Sequence, residues 1–248
     1  LDDDFQFTFA TARSYFSAKA ILTDLPIRLP VILFNGAFTT NYNTGEHLHT
    51  VPIKTETASK LLELSQEMQL GTITSAFKDI DDYQFYDFLP NDGIKWYVND
   101  RKQAKDPRLT RTADLEKILQ CTIMSINVID TLPVISKTAQ IIEEQFGDEL
   151  HAHFYENQYN KGFYWLTMNN KNANKGNAVK GYCEQFGFDL ASTTVFGDNL
   201  NDLEMMRVGG TAIATSNAHP DVKALADHVI ESSNQDAVVN YILKDYAS

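Results

Sequence analysis

Apolar side chains at Phe5, Phe7 and Phe9 alternate with Gln6 and Thr8, the period-two pattern of a strand. The strand runs into Ala10-Thr11-Ala12-Arg13-Ser14, and Tyr15 to Thr23 reads as a helix. The unbroken apolar run Pro30-Val31-Ile32-Leu33-Phe34 predicts a strand covered on both faces, ending at Asn35-Gly36-Ala37. Two strand-then-polar-loop units separated by a helix are the grammar of a parallel α/β sheet.

The pattern then changes. Phe38 to Leu48, centred on Asn43-Thr44-Gly45, reads as a hairpin. Apolar residues at 58, 61, 62 and 64 predict an amphipathic helix from Thr55 to Met68, capped by Thr55 or Thr57. Residues 70–98 read as two or three aromatic-rich strands broken at Pro90-Asn91-Asp92-Gly93, and the polar, basic stretch 100–113 as a surface loop. Cys121 to Ile129 is a strand, Thr131 to Phe146 a helix and His151 to Glu156 another strand. This block is expected to be a separate α+β insert. From Phe163 the first grammar returns, with a short strand at Trp165–Met168, an asparagine-rich loop at 169–174 and a helix opening at Lys175-Gly176 and running to about Phe186. A strand into Asp198, a helix, the strand Thr211–Thr215, a loop at Asn217-Ala218 and helices near Asp221–Asp227 and Asp236–Asp245 complete the chain.

Composition narrows the class. At 248 residues the chain holds one large domain or two modest ones, and 43% hydrophobic with 22% charged residues is ordinary for a globular protein. No apolar run reaches the roughly 18 residues of a membrane span, and the acidic start Leu1-Asp2-Asp3-Asp4 is unlike a signal peptide. Cys121 and Cys183 stand far apart, which fits a reducing cytoplasm. A net charge of −12 without a basic stripe argues against nucleic acid as a partner.

The chemistry concentrates in Val195-Phe196-Gly197-Asp198-Asn199-Leu200-Asn201-Asp202. There a strand delivers two carboxylates and two carboxamides to the start of a helix. Open α/β sheets bind ligands at the carboxyl ends of their strands, and Asp oxygens suit Mg²⁺. An Asx-rich turn capping the next helix is the competing reading. Thr11, Lys175 and Asn217 supply further polar groups at strand or helix ends.

These pieces resemble the haloacid dehalogenase (HAD) superfamily, in particular the Cof-type (IIB) phosphatases with a large α/β cap. FATARS at 9–14, NGA at 35–37, NKG at 174–176, FGDNLND at 196–202 with Met205-Met206, and SNAHPDVKALADHVI at 216–230 fall in the family's order. The resemblance implies a Rossmann-like parallel-sheet core over 1–48 and 166–248, with an α+β cap inserted at 49–165. It implies a Mg²⁺-dependent phosphatase acting on a small phosphorylated metabolite, for instance a sugar phosphate, through a phospho-aspartate. Thr11 would bind a phosphoryl oxygen and Arg13 would help hold the substrate. Lys175 would neutralise nucleophile and phosphate, and Asp198 would ligate Mg²⁺. Asn201 would contact phosphate or the metal shell, and Asp202 would orient Lys175 or a metal-bound water. A cytoplasmic monomer or small homo-oligomer is expected, with neither nucleic acid nor membrane as partner.

Two departures matter. Ala12 stands where the family commonly has glycine. The family's first motif, DxDGT, which carries the nucleophile and the first core strand, is not found. Asp2 and Asp4 have the spacing, but Phe5 and Gln6 replace its Gly and Thr, and six residues between Asp4 and Thr11 are too few for a parallel crossover. A nucleophile-bearing βα unit of about 30 residues is therefore expected upstream of Leu1. The alternative is a catalytically inactive phosphate-ligand binding or regulatory protein.

Three further patterns have bland default readings. His47-x-His49 and His151-x-His153 could each present two imidazoles to a metal, but no cysteine or carboxylate partner is spaced for it. The aromatic groups at 83–88 and 154–165 could stack on a sugar, although core packing is the default. The basic residues between Arg101 and Arg111 read as a solvated loop.

Overall fold

The computed structural model describes residues 5–22, 25–79 and 81–246, so Asp2, Asp4 and Thr23 lie outside the described residues. The chain forms two compact units, residues 1–50 with 172–248, and residues 51–171. In chain order the elements are α1 (Tyr15–Ile21), β1 (Val31–Leu33), β2 (Phe38–Thr40), β3 (His47–Thr50), α2 (Thr55–Glu67), β4 (Thr72–Lys78), β5 (Asp81–Tyr86), α3 (Asp92–Gln103), β6 (Leu109–Arg111) and α4 (Leu115–Leu119). They continue with β7 (Thr122–Thr131), α5 (Leu132–Phe146), β8 (Leu150–Glu156), β9 (Phe163–Asn170), α6 (Lys175–Phe186), β10 (Thr194–Gly197), α7 (Leu203–Val208), β11 (Thr211–Thr215), α8 (Pro220–Leu225), β12 (His228–Ile230) and α9 (Ala237–Tyr246). No described helix is long and apolar enough to cross a membrane. Cys121 and Cys183 are free thiols.

The first unit contains a parallel sheet β10-β11-β12 and an antiparallel sheet β1-β2-β3. The expected strand at Phe5–Phe9 does not form as a regular element. Instead Ala10 makes an isolated parallel bridge to Ile32, with Thr11 N–H donating to Ile32 O and Ile32 N–H to Phe9 O, each at 2.9 Å. Ala10 also packs on two apolar clusters. One contains Val195, Met205, Met206, Ala212, Ala214 and Val222; the other contains Ile32, Ala178 and Tyr182. Alanines at 212 and 214 keep β11 thin, so α7 and α8 pack closely on it. A fully buried aliphatic side chain contributes about 1.5–3 kcal/mol.

The second unit is built on a six-stranded sheet, β6-β5-β4-β7-β9-β8. Leu61, Leu62, Phe85, Ile126, Val128, Ile135, Ile142, Leu166 and Met168 form its main core, joining α2 and α5 to one sheet face. A smaller cluster of Ile73, Tyr86, Ile94, Val98 and Ile129 seats α3 on the opposite face. Gly93 permits this, because a Cβ there would lie 2.4 Å from the Phe163 ring.

Several expectations are corrected. Residues 92–98 are helical rather than stranded, because the Asn91 side chain accepts from Ile94 N–H at 3.0 Å and caps α3. The stretch 100–113 is not simply a solvated loop: it ends α3, adds β6 and buries an Arg108–Asp106 ion pair at 2.7 Å. Neither Thr55 nor Thr57 caps α2; its N-cap position is Lys54, with no side-chain cap. The expected boundary at 165/166 cuts through β9. That strand pairs along its whole length with both β7 and β8, so it belongs to the second unit, which runs from 51 to 171.

Candidate active site

The first unit gathers its polar groups at the carboxyl end of β10. The backbone of β10 ends at Gly197, where a Cβ would lie 2.8 Å from Asp202 Cβ. The chain can therefore fold back tightly and bring the Asp202 carboxylate onto the turn it terminates. Asp202 Oδ2 accepts from Asp198 N–H at 3.0 Å and Asn199 N–H at 3.1 Å, while the Asn199 side chain completes a reciprocal capping box.

The other Asp202 oxygen, Oδ1, accepts from Lys175 Nζ at 2.6 Å. Both side chains are buried, 8% and 5% exposed. Lys175 is the first residue of α6, after the Asn174 cap, whose side chain accepts from Asn177 N–H. A cation at a helix N-terminus opposes the macrodipole, and burial costs it solvation; the Asp202 carboxylate offsets both. The approach depends on Gly176, since a Cβ there would meet Glu204 O at 2.5 Å and push α6 from α7.

A third loop closes on the same place. Gly36 has φ +101°, and a Cβ on it would lie 2.3 Å from Asn174 O, so the 35–37 loop packs directly on the α6 cap. Asn35 is left-handed, φ 55° and ψ 27°, and its Oδ1 accepts from Asn201 Nδ2 at 2.9 Å. Thr11 sits above the same loop: Asn35 N–H donates to Thr11 O at 2.9 Å, and Phe34 N–H donates to Arg13 O at 3.1 Å. The Thr11 hydroxyl accepts from Arg13 N–H at 3.2 Å, which leaves its own O–H to donate.

Thus Lys175, Asp198 and Asp202 are brought together by direct hydrogen bonds, and Asn201 and Thr11 are tied to them through Asn35. Arg13 joins through its backbone only; its guanidinium makes no hydrogen bond among the described residues. Asn217 is turned elsewhere, accepting from Ser233 N–H and Ser232 Oγ. Asn35 is the residue that sequence reasoning treats as a loop signature and not as a site residue. The signal was local: an Asn-Gly pair closing a buried strand invites the left-handed backbone that aims its carboxamide.

The two carboxylates differ in what they can bind. Both Asp202 oxygens are already engaged. Asp198 is exposed, and its carboxylate has no hydrogen-bond or ion-pair partner among the described residues, although Asp198 O accepts from His219 N–H at 2.9 Å and fixes the backbone. One free carboxylate beside neutral carboxamides suits Mg²⁺, which keeps most of its water and takes one or two carboxylates. No group of three or more His, Cys, Asp and Glu side chains that could hold a metal occurs among the described residues. His47 instead pairs with Thr40 Oγ1 at 2.9 Å and stacks on Phe38 at 4.1 Å. His151 and His153 stack on each other at 5.2 Å.

Comparison with known proteins gives a consistent result. A family model described as haloacid dehalogenase-like hydrolase matches residues 1–242. Pyridoxal phosphate phosphatase YbhA of Escherichia coli is 22% identical, over 96% of this chain and 85% of its own. A putative phosphatase of Streptococcus pyogenes is 27% identical, over 86% of this chain and 74% of its own. The crystal structure of TM0651 from Thermotoga maritima superposes with TM-score 0.78 at 23% identity, covering 96% and 84% of the two chains. The HAD subclass IIB sugar phosphatase BT4131 gives 0.67 at 19% identity, covering 98% and 86%. At these identities the structural likeness establishes the fold.

Proposed function

Because the chain belongs to the haloacid dehalogenase-like hydrolases, we propose that it is a Mg²⁺-dependent phosphatase of a small phosphorylated metabolite, with a sugar phosphate the leading class. The observation that carries this reading is the buried Lys175–Asp202 pair, hydrogen-bonded through its turn to an exposed, unengaged Asp198. Phosphoryl transfer asks the protein mainly for positioning and for cationic charge near the phosphoryl oxygens.

The residues divide that work. Lys175 has three N–H donors and spends one on Asp202, so its remaining donors can serve a phosphoryl oxygen. Asp202 holds the ammonium in place and is not itself available to attack or to ligate. Thr11 offers a hydroxyl donor, and Asn201, steadied by Asn35, offers a carboxamide. Arg13, exposed next to Thr11, supplies a second cation for the substrate. Mg²⁺ at Asp198 would supply further charge neutralisation. Relatives named as phosphatases, one of pyridoxal phosphate and one of sugars, support a small phosphate monoester as the substrate class.

The test is release of inorganic phosphate from a panel of phosphate monoesters, with and without Mg²⁺, by the wild-type protein and Lys175→Met. The reading expects Mg²⁺-dependent turnover that the variant loses by at least about a hundredfold. Phosphate esters bound without any turnover would turn the conclusion to the catalytically silent binding protein.

A further inference from the structure

A cavity of about 320 Å³ opens within the second unit, on the sheet face that α2 and α4 cover, and every residue lining it lies between Leu62 and Ile118. Side chains alternate across a sheet, so Thr72 and Thr74 of β4 share this face with Ala76 of the main core. Phe85 of β5, in register with Thr74, lies beside them. Leu62 of α2 and Ile118 of α4 add apolar wall. At the end of α2, Gln69 takes a left-handed φ of 56°; its N–H donates to Gln66 O at 2.9 Å, and Leu70 N–H donates to Ser65 O at 2.8 Å. Gly71 lets the 88–90 segment close in, because a Cβ there would lie 2.6 Å from Phe88 O.

The chemistry of the lining is lopsided. Asp87 is its one charged side chain, and no Lys, Arg or His joins it. Asp87 Oδ1 accepts from Phe88 N–H at 2.6 Å, which orients the carboxylate, while Oδ2 has no hydrogen-bond or ion-pair partner among the described residues. The end of α2 that lines the cavity is its C-terminal end, which carries partial negative charge. Deeper in, Thr74 is only 1% exposed, and its hydroxyl has no hydrogen-bond partner among the described residues. Ser65 differs, since its Oγ donates to Leu61 O at 2.7 Å.

A buried hydroxyl without a partner is unusual in a folded protein and points to a missing one. The volume reaches the lower end of the range for small-molecule sites, whose walls are mostly apolar with a few placed polar groups. A lone carboxylate beside a negative helix end repels a phosphate or a carboxylate and attracts a cation. We propose that this cavity is a second ligand site, taking a small organic cation: a protonated amine held at Asp87, on an apolar body packed against Leu62, Phe85 and Ile118. The site lies within one unit and takes the opposite charge to a phosphate ester, so it stands whether or not the protein turns over phosphate esters.

The test is a saturation-transfer NMR titration of the whole protein with three probes of one shape: benzylamine, benzyl alcohol and benzoate. Wild type is compared with Asp87→Asn, which keeps an oxygen for Phe88 N–H, and with Ala113→Phe, which fills the cavity from an exposed lining position. Each variant is checked by circular dichroism. Wild type is expected to bind benzylamine at least about fivefold tighter than benzyl alcohol, with benzoate weakest. Asp87→Asn should erase that preference while leaving benzyl alcohol unchanged, and Ala113→Phe should weaken both by about tenfold or more. The inference is overturned if benzylamine does not bind, if either other probe binds as tightly, if the preference survives Asp87→Asn, or if binding survives Ala113→Phe. Should Asp87→Asn not fold, the wild-type order of the three probes and Ala113→Phe carry the same decision. A turnover assay run alongside keeps the two readings apart: loss of phosphatase activity counts against the proposed function alone, and loss of amine binding against this site alone.

Discussion

Lys175 Nζ lies 2.6 Å from Asp202 Oδ1 with both side chains buried, and the remaining Asp202 oxygen is held by two backbone N–H groups. Removing either partner leaves the other charge buried and unpaired, a loss of about 3–5 kcal/mol. Lys175→Met and Asp202→Asn are therefore each expected to lower the melting temperature by about 10 °C as well as to abolish turnover. The double variant Lys175→Met/Asp202→Asn should lose much less than the sum of the two singles. Additive losses in thermal melts would mean that the pair is not coupled.

Gly36 and Gly187 separate backbone strain from close approach. Both have positive φ, +101° and +75°, but a Cβ on Gly36 would sit 2.3 Å from Asn174 O, whereas one on Gly187 would meet nothing within 4 Å. Gly187→Ala is expected to cost about 1 kcal/mol, the left-handed penalty alone. Gly36→Ala should cost at least twice that, because the 35–37 loop must leave the α6 cap. Its activity should fall further than its stability, since Asn35 then no longer holds Asn201. Denaturant melts and kinetics on the two variants read this directly; equal costs would refute it.

The difference between these two glycines also marks what the sequence could carry. The turn 198–202 and the α6 opening at Asn174-Lys175-Gly176 are local devices, a capping box and an N-cap, and their residue spacing is enough to find them. The Asn35–Asn201 bond spans the chain, and no periodicity encodes it. The same limit misled the reading of 92–98, where Trp96 and Tyr97 look like strand residues. One hydrogen bond from the Asn91 cap, with α3 seated on Ile129 and Ile73, decides for the helix. It also misplaced β9, whose apolar residues alternate as in any strand but whose two partners, β7 and β8, identify its unit. The buried Arg108–Asp106 pair was hidden by a composition that looks solvated.

His47 and His153 predict how the fold responds to mild acid. Both have pKa values lowered to about 4 by burial, whereas an unfolded histidine titrates near 6.5. Between pH 6.5 and 4 the unfolded chain therefore binds protons that the native state does not. Stability contributed in this way is complete above pH 6.5 and is lost progressively as the pH falls toward 4. The melting temperature should thus drop between pH 7 and pH 5, above the range in which carboxylates titrate. His47→Phe and His153→Phe should each make that drop shallower. Parallel slopes for wild type and both variants would show that neither ring is the source.

Asp198 and Asp202 stand four residues apart, yet they should fail in opposite ways. Asp202 is a buried structural anion, so its loss is visible without any metal. Asp198 is exposed, and its carboxylate has no partner among the described residues, so Asp198→Asn should shift the metal-free melting temperature by no more than about 1–2 °C. Ligand binding stabilises by RT ln(1 + [L]/Kd), so Mg²⁺ at about a hundred times its Kd should add about 2.7 kcal/mol to wild type. In Asp198→Asn that increment should vanish and turnover should fall by at least about a hundredfold. The measurement is a Mg²⁺ titration of the melting temperature, with Ca²⁺ and EDTA as controls. A Mg²⁺-dependent rise that survives in Asp198→Asn would move the metal to other ligands, and with it the role of the turn that Asp202 holds closed.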